Sequence, residues 1–356
     1  NDVALGFIAF AIGNEFRLSQ LRHTGKQATV IGIFQAVTAT LVVDVVLIGL
    51  HYFVLGDAMS IADAIVLGAI ATATAPAATL MVVRQYKAKG ELTDLLLPIV
   101  ALDDAVGLVV FAISFGVAKA INFGHYDLTS ILVEPILEIV MSIVLGFVMG
   151  SIFSAAEKYF KSNSKRLSLS ITFVILTVAL SMMEFEVGGV KIGFSSLLVC
   201  MMLGTVFCNV CDFSAEIMDK TDRWTAPLYI LFFVLSGAEL ELNVFSNVSV
   251  VIIGVAYILA RSFGKWFGAS MSAKFMKCPP QVQKWLGITL LPQAGVALGM
   301  SVTVAQTLGA DGAMVRNIVL FGVLIYELVG PALTRIALTE AGDIQPKAEA
   351  VVSADD

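Results

Sequence analysis

Asp103 and Asp104 stand side by side in LLLPIVALDDAVGLVVFAISF, residues 95 to 115, a run otherwise suited to the interior of a membrane. Carboxylates at that depth are costly, and they mark ion paths, proton relays or charge pairs. Adjacent positions on a helix do not share a face, so one carboxylate can line a cavity while its neighbour meets a partner. If the span enters from the cytoplasm near residue 94, Asp104 lies about ten residues in, roughly 15 Å, close to the bilayer midplane. The opposite charge comes from YILARSFGKWFGAS, residues 257 to 270, which carries Arg261 and Lys265. Depth selects Arg261 as the buried partner of the Asp pair, because Lys265 is a turn nearer the cytoplasm and can snorkel to the interface. A carboxylate held this way binds a proton or a metal cation but not both well. Competition for it would couple two ion fluxes.

Two spans carry breakers near these charges. TATAPAAT, residues 72 to 79, sets Pro76 among Thr72, Thr74 and Thr79; GITLLPQAGVALGM, residues 287 to 300, sets Pro292 and Gln293 just before Gly295. Proline removes a backbone donor, and the freed groups need protein, water or a cavity to satisfy them. Paired broken spans in the two halves of a chain point to a site built from half-helix ends. Glu327 in IYELVGP and Glu15 in IGNEF also lie in apolar spans. Each reads more readily as a structural pair or interface residue than as part of a transport step.

The elements that must position these residues follow from composition. Of 356 residues 58% are hydrophobic and 14% charged, against about 45–50% and about 25% in soluble domains. Eleven apolar segments are expected, at roughly 3–16, 28–54, 62–83, 93–118, 130–156, 167–183, 192–210, 225–240, 245–269, 285–306 and 314–336. The fold class is therefore an all-α polytopic membrane protein. Lys and Arg concentrate in alternate loops, at 17–27, 84–94, 157–166, 211–224 and 270–284, with Arg335 and Lys347 after the last span. By the positive-inside rule the C-terminus is cytoplasmic. The abrupt apolar start, NDVALGFIAF, reads as the inside of a longer protein, and no signal peptide is visible.

Several classes are excluded or set aside. Four cysteines (Cys200, Cys208, Cys211, Cys278) and three dispersed histidines form neither a disulfide framework nor a ligand cluster, so no metal is expected beyond a transported cation. No cofactor is implied. Net charge is −6, without a basic stripe for nucleic acid. An intramembrane aspartyl protease needs carboxylates on facing helices, whereas these two share one helix. A transporter-like cation sensor or channel without coupled exchange stays open at this point.

The opening GFIAFAIGNEF, the TAPAAT break, the LDDAVG pair, ARSFGKWFG followed by LLPQAGVALGM, and the closing ELVGPALTR together resemble the monovalent cation:proton antiporter superfamily, in its bacterial sodium/proton and potassium/proton exchanger branch. The resemblance spans most of the chain. It implies an inverted-repeat antiporter fold with two discontinuous crossing helices, acting by alternating access as a homodimer in the bacterial inner membrane. It implies Na⁺, K⁺ or Li⁺ and H⁺ as partners, with membrane lipid around them. Asp104 would be the cation and proton carboxylate, with Thr74 beside it, and Asp103 would pair with a basic residue. The expected organisation is a first span and loop at 1–27, preceded by about two further spans, and a second span at 28–61. Core elements follow at 62–118, dimerisation and linking spans at 119–224, the second core repeat at 225–336, and a polar tail at 337–356. Two departures matter. Related exchangers commonly read Thr-Asp-Pro at the first break, where this chain has Thr74-Ala75-Pro76. Both Arg261 and Lys265 have the x-x-Gly spacing of the expected basic partner, so stoichiometry stays open.

Overall fold

The structure, a computed structural model, describes residues 2–122, 133–160, 162–183, 185–187, 190–238 and 247–344. Among them are thirteen α-helices and one short antiparallel hairpin, Phe185–Val187 with Val190–Ile192. That hairpin is the sole departure from an all-α fold among the described residues. The helices are α1 (Asp2–Glu15), α2 (Leu18–Leu50), α3 (Ile61–Ile70), α4 (Pro76–Tyr86), α5 (Glu91–Asn122), α6 (Glu134–Tyr159) and α7 (Asn163–Ser181). There follow α8 (Ser196–Val210), α9 (Ser214–Ala238), α10 (Val248–Phe275), α11 (Pro280–Thr289), α12 (Gly295–Leu308) and α13 (Ala310–Glu340). Six of these are long and apolar enough to cross a membrane by length and composition: α2 from Gly25 onward, α5, α6, α7, α10 and α13.

Within the described residues each expected apolar segment coincides with a helix, or with the broken pairs α3/α4 and α11/α12; residues 130–132, 239–240 and 245–246 of those segments lie outside them. All five expected basic loops are partly helical, 17–27 and 211–224 by the longest continuous stretches. Residues 18–24 form about two turns that join the rest of α2 across Gly25, whose φ of 75° and ψ of 165° interrupt the helix; a positive φ is what glycine adopts without a Cβ penalty. The stretch 214–224 is the first half of α9, its exposed charges held in i,i+4 pairs, Glu216 with Lys220 and Asp219 with Arg223. The tail beyond residue 344, the Asn1 end and the side chain of Glu15 lie outside the described residues.

Helix packing sorts the chain into two groups. In one, α8 packs on α1 and α6, and α7 and α9 join them. In the other, α2 lies along α10, α5 packs on α2 and α3, and α13 packs on α11 and α12. Contact thus puts α9 with α1, α7 and α8, although the sequence reading groups 225–336 as one unit. α5 joins the groups through α1, α6 and α8. Glycines set the closest approaches. Gly264 and Gly268 of α10 lie against the backbone of Ala39 and Gln35, and Gly146 and Gly150 of α6 lie against Val199 and Leu203. Both small-xxx-small spacings therefore sit at helix contacts.

The basic loops meet one another at one end of the bundle. Arg17 donates to Ser214, the Gln27 amide to the Met276 carbonyl, and the guanidinium of Arg166 covers the Phe213 ring. At the same ends of α4, α5 and α13, Lys89 N–H donates to the Asp343 carbonyl, and the Asp343 carboxylate accepts from Thr93 N–H and Thr93 hydroxyl, both at 2.7 Å.

Candidate functional site: the helix crossing and its carboxylates

The broken helices meet through their unwound stretches, residues 71–75 and 290–294. Ala75 N–H donates to the Pro292 carbonyl at 2.8 Å, and the Gln293 amide donates to the Ile70 carbonyl at 2.9 Å. Thr79 hydroxyl lies 3.3 Å from the Thr289 carbonyl. Pro76 opens α4 and Gly295 opens α12, so two helix N-termini start at the crossing while the C-termini of α3 and α11 end there. Positive and negative dipole ends become neighbours in the middle of the molecule. Tyr257 of α10 supports the second break through Gln293, with the amide nitrogen 3.0 Å from its hydroxyl.

Arg261 is fully buried, and its guanidinium is spent on backbone. Nε donates to the Ala71 carbonyl at 3.0 Å, Nη1 to Leu291 at 2.7 Å and Nη2 to Ala73 at 2.6 Å, with the Tyr326 ring 4.4 Å away. These are carbonyls that the two breaks leave without helical partners, and a planar fork of donors suits three of them at once. Lys265, one turn along α10 on the same face, takes the carboxylate instead. Its Nζ lies 2.6 Å from Asp103 Oδ2 and 3.0 Å from Thr74 Oγ1, and it also donates to the Thr72 carbonyl.

The depth argument for Arg261 as the partner of the Asp pair is therefore corrected. Lys265 is 0% exposed and does not snorkel. The unwound stretch folds over it, so its ammonium finds its three acceptors inside the protein. Depth along a helix axis could not foresee this, because two of the acceptors come from Thr72 and Thr74 of the first break and the third from Asp103 of α5.

Asp103 and Asp104 separate as adjacent helical positions must. Asp103 is 0% exposed; its Oδ2 accepts from Lys265 and from the Thr74 hydroxyl, and its Oδ1 accepts from the Gln35 amide of α2. Asp104 faces the other way, onto a cavity of about 860 Å³ bounded by α1, α4, α9 and α12. Ile8, Leu80, Met81, Phe233 and Val296 give it apolar walls, Ala75 and Ala294 close it at the crossing, and Gln85 and Tyr229 add polar groups. A buried carboxylate that borders an apolar-walled cavity beside a sealed ion pair is suited to hold a small cation or a proton. Because the two carboxylates face different surroundings, they do not form the facing pair that an aspartyl protease requires.

Of the residues singled out in the sequence, Asp103, Asp104, Thr74, Arg261, Lys265, Pro76, Pro292, Gln293 and Gly295 all come together here. Glu327 does not: it is exposed on α13 beside Leu324 and Leu328. Glu15 ends α1. Of the interior polar residues that were not anticipated, Gln35 reaches Asp103, Tyr257 reaches Gln293, and Asp44 of α2 packs against Gly68 with its Oδ1 buried and without a hydrogen-bond partner among the described residues. Gln35 in IGIFQAVT and Asp44 in LVVDVVL are visible as lone polar residues in an apolar span, which is the signal that could have found them. Among the described residues no group of three or more His, Cys, Asp or Glu could hold a metal ion.

Two crossing broken helices, with a buried ion pair at the crossing and a carboxylate on a cavity, define a secondary transporter of the alternating-access kind. Comparison agrees. Residues 2–339 match the family of transmembrane sodium/hydrogen exchangers. The fold is similar to the sodium proton antiporter MjNhaP1 from Methanocaldococcus jannaschii determined at pH 8, with TM-score 0.71 and 17% identity over 94% of this chain and 84% of that one. A three-dimensional electron-microscopy structure of the same antiporter gives TM-score 0.63 and 18% identity over 96% and 85% of the two chains. No curated protein matches by sequence. The chain belongs to the sodium/hydrogen exchanger family of the cation:proton antiporter superfamily. It is a secondary active cation/proton antiporter, a multi-pass membrane transporter and not an enzyme.

Proposed function

We propose that this antiporter exchanges Na⁺, K⁺ or Li⁺ for H⁺ at Asp104. The observation that carries this reading is that Asp104 lines the cavity, beside the sealed Asp103–Lys265 pair. A cation or a proton arriving through the cavity competes for that one carboxylate, and only a loaded Asp104 is uncharged enough to move past apolar surroundings cheaply. Thr74 positions the neighbouring Asp103 and belongs to the support of the site.

On this reading α2 to α5 and α10 to α13 form the moving core. The group of α1 and α6 to α9 is the scaffold, and it carries the contact between two copies in a homodimer. The packing of α8 on α1 and α6, apart from the crossing helices, supports that division. The clustered basic loops support a cytoplasmic C-terminus in a bacterial inner membrane, with the cavity open on that side along α4 to Gln85.

Proteoliposomes loaded with a pH-sensitive dye test the proposal. Addition of Na⁺, K⁺ or Li⁺ should drive proton flux through the wild type, and the order of the ions names the substrate. Asp104→Asn, which removes the ionisable group and keeps the shape, should abolish the flux. Full flux in Asp104→Asn would remove Asp104 from the reaction.

A further inference from the structure

Gln35 is 0% exposed and stands where α2, α5 and α10 meet. Gly268 of α10 lies so close to the Gln35 Cα that a side chain there would collide with it. The backbone of Gln35 is thereby fixed beside Asp103. Its Nε2 donates to Asp103 Oδ1 and lies 3.0 Å from the Gly32 carbonyl. Both partners are pure acceptors, which fixes the amide orientation: nitrogen toward the carboxylate, oxygen away.

The oxygen tells the other half. Gln35 Oε1 is buried without a hydrogen-bond partner among the described residues. A buried acceptor left unpaired is unfavourable, and such groups in folded proteins call for an explanation. An apolar side chain of similar shape, such as Met, would fill the same space without that orphan. What Met cannot do is donate to Asp103.

The three donors divide Asp103 cleanly. Lys265 and Thr74 hold Oδ2, and among the described residues Gln35 alone holds Oδ1. Without Gln35 the carboxylate is anchored through one oxygen and can turn about its own bonds toward Asp104. Two carboxylates brought together tend to share one proton, which would remove Asp104 as an independent cation site.

We infer that Gln35 is a positioning residue of the exchange reaction, whose amide keeps Asp103 turned to Lys265 so that Asp104 alone faces the cargo. The inference rests on the exchange reading proposed above. The charged groups around the amide are Asp103 and then Asp104 on α5, and Lys265 and then Arg261 on α10. Residues 71–75 of the first break carry none.

The test is cation-driven proton flux in proteoliposomes for wild type, Gln35→Met and Gln35→Glu, each across a pH series, with melting temperatures recorded alongside. Gln35→Met should fold and should raise the apparent KM for the cation about tenfold, the loss expected for one hydrogen bond to an ionised group. Gln35→Glu is nearly isosteric and can donate to Asp103 only while its own carboxyl is protonated. Its flux should approach wild type at the acidic end of the series and fall away as pH rises, a loss that Gln35→Met does not show. Wild-type KM and pH profile in folded Gln35→Met would overturn the inference. So would equal impairment of both variants at every pH with matching drops in melting temperature, because that is the signature of packing alone. Wild-type protein without cation-driven flux would overturn the exchange reading itself, and this inference with it.

Discussion

Replacing Arg261 by Ala separates the two cations of α10. The guanidinium makes three charge-assisted hydrogen bonds, to the carbonyls of Ala71, Ala73 and Leu291, and so ties the two breaks to each other. A hydrogen bond involving an ionised group contributes about 1.5 kcal/mol or more. Three lost together come to roughly 4.5 kcal/mol, within the range of about 3–5 kcal/mol for removing one partner of a buried ionic arrangement. For a large chain about 2 °C accompanies each kcal/mol, so Arg261→Ala should melt about 9 °C below wild type. Thermal unfolding of purified protein in detergent, followed by tryptophan emission, reads this directly. Arg261→Lys keeps one cation but cannot reach three carbonyls, and its melting temperature should fall between the two. Because the breaks frame the Asp103–Lys265 pair, exchange by Arg261→Ala should weaken along with stability. A variant that melts within about 1 °C of wild type yet has lost exchange would refute the capping role. Arg261 would then have to act on the carboxylates themselves.

Other perturbations follow from the same geometry. Lys265→Gln leaves Asp103 buried without its counter-ion, so it should lower the melting temperature and also change the charge moved per cycle, read as a changed dependence of flux on an imposed membrane potential; an unchanged dependence would show that Lys265 takes no part in the ion stoichiometry. Gly268→Val places a branched side chain against Gln35 and Thr38, and overpacking of this kind costs about 1–3 kcal/mol, so a lowered melting temperature is expected and an unchanged one would contradict the close α2–α10 contact. Asp343→Ala removes the carboxylate that holds Thr93 in the first turn of α5, a cap worth about 1 kcal/mol, and should speed amide hydrogen exchange at residues 89–93, with Asp343→Asn retaining most of the protection.

How far the sequence foretold this structure depends on the kind of information each feature needs. Long apolar runs and alternating basic loops are one-dimensional signals, so the eleven segments were legible, and so were the breaks at Pro76 and Pro292. The adjacent Asp103 and Asp104 also declared themselves, because nothing else explains such a pair in that run. The choice between Arg261 and Lys265 was not legible. It depends on which residue's side chain meets the carbonyls of an unwound segment almost two hundred positions away. Gln35 went unnoticed for a related reason: an amide carries no formal charge, so its cost in an apolar span looks small until its partner is known. Helix grouping was only partly legible, since α9 follows the chain order of the second repeat yet packs with α1, α7 and α8.

The charges at the crossing also bear on the meaning of Ala75. Related exchangers commonly place a carboxylate at that position. Here Ala75 lines the cavity beside Asp104, and its N–H is committed to the Pro292 carbonyl at 2.8 Å. The groups that remain are two cations, Arg261 and Lys265, and two carboxylates, Asp103 and Asp104, which cancel when all are ionised. Loading Asp104 with a proton or with a monovalent cation adds the same single positive charge. On the proposed assignment, the electrostatic cost of moving the core is then the same for either cargo and differs for the empty carrier. A third carboxylate at position 75 would break that equality by letting a cation and a proton bind together. Ala75→Asp therefore tests the arrangement: it should permit flux-independent binding of a cation to the protonated protein, and cation affinity should lose much of its dependence on pH. An affinity that still falls as steeply with acidification as in the wild type would mean that competition at Asp104 governs coupling whatever stands at the first break.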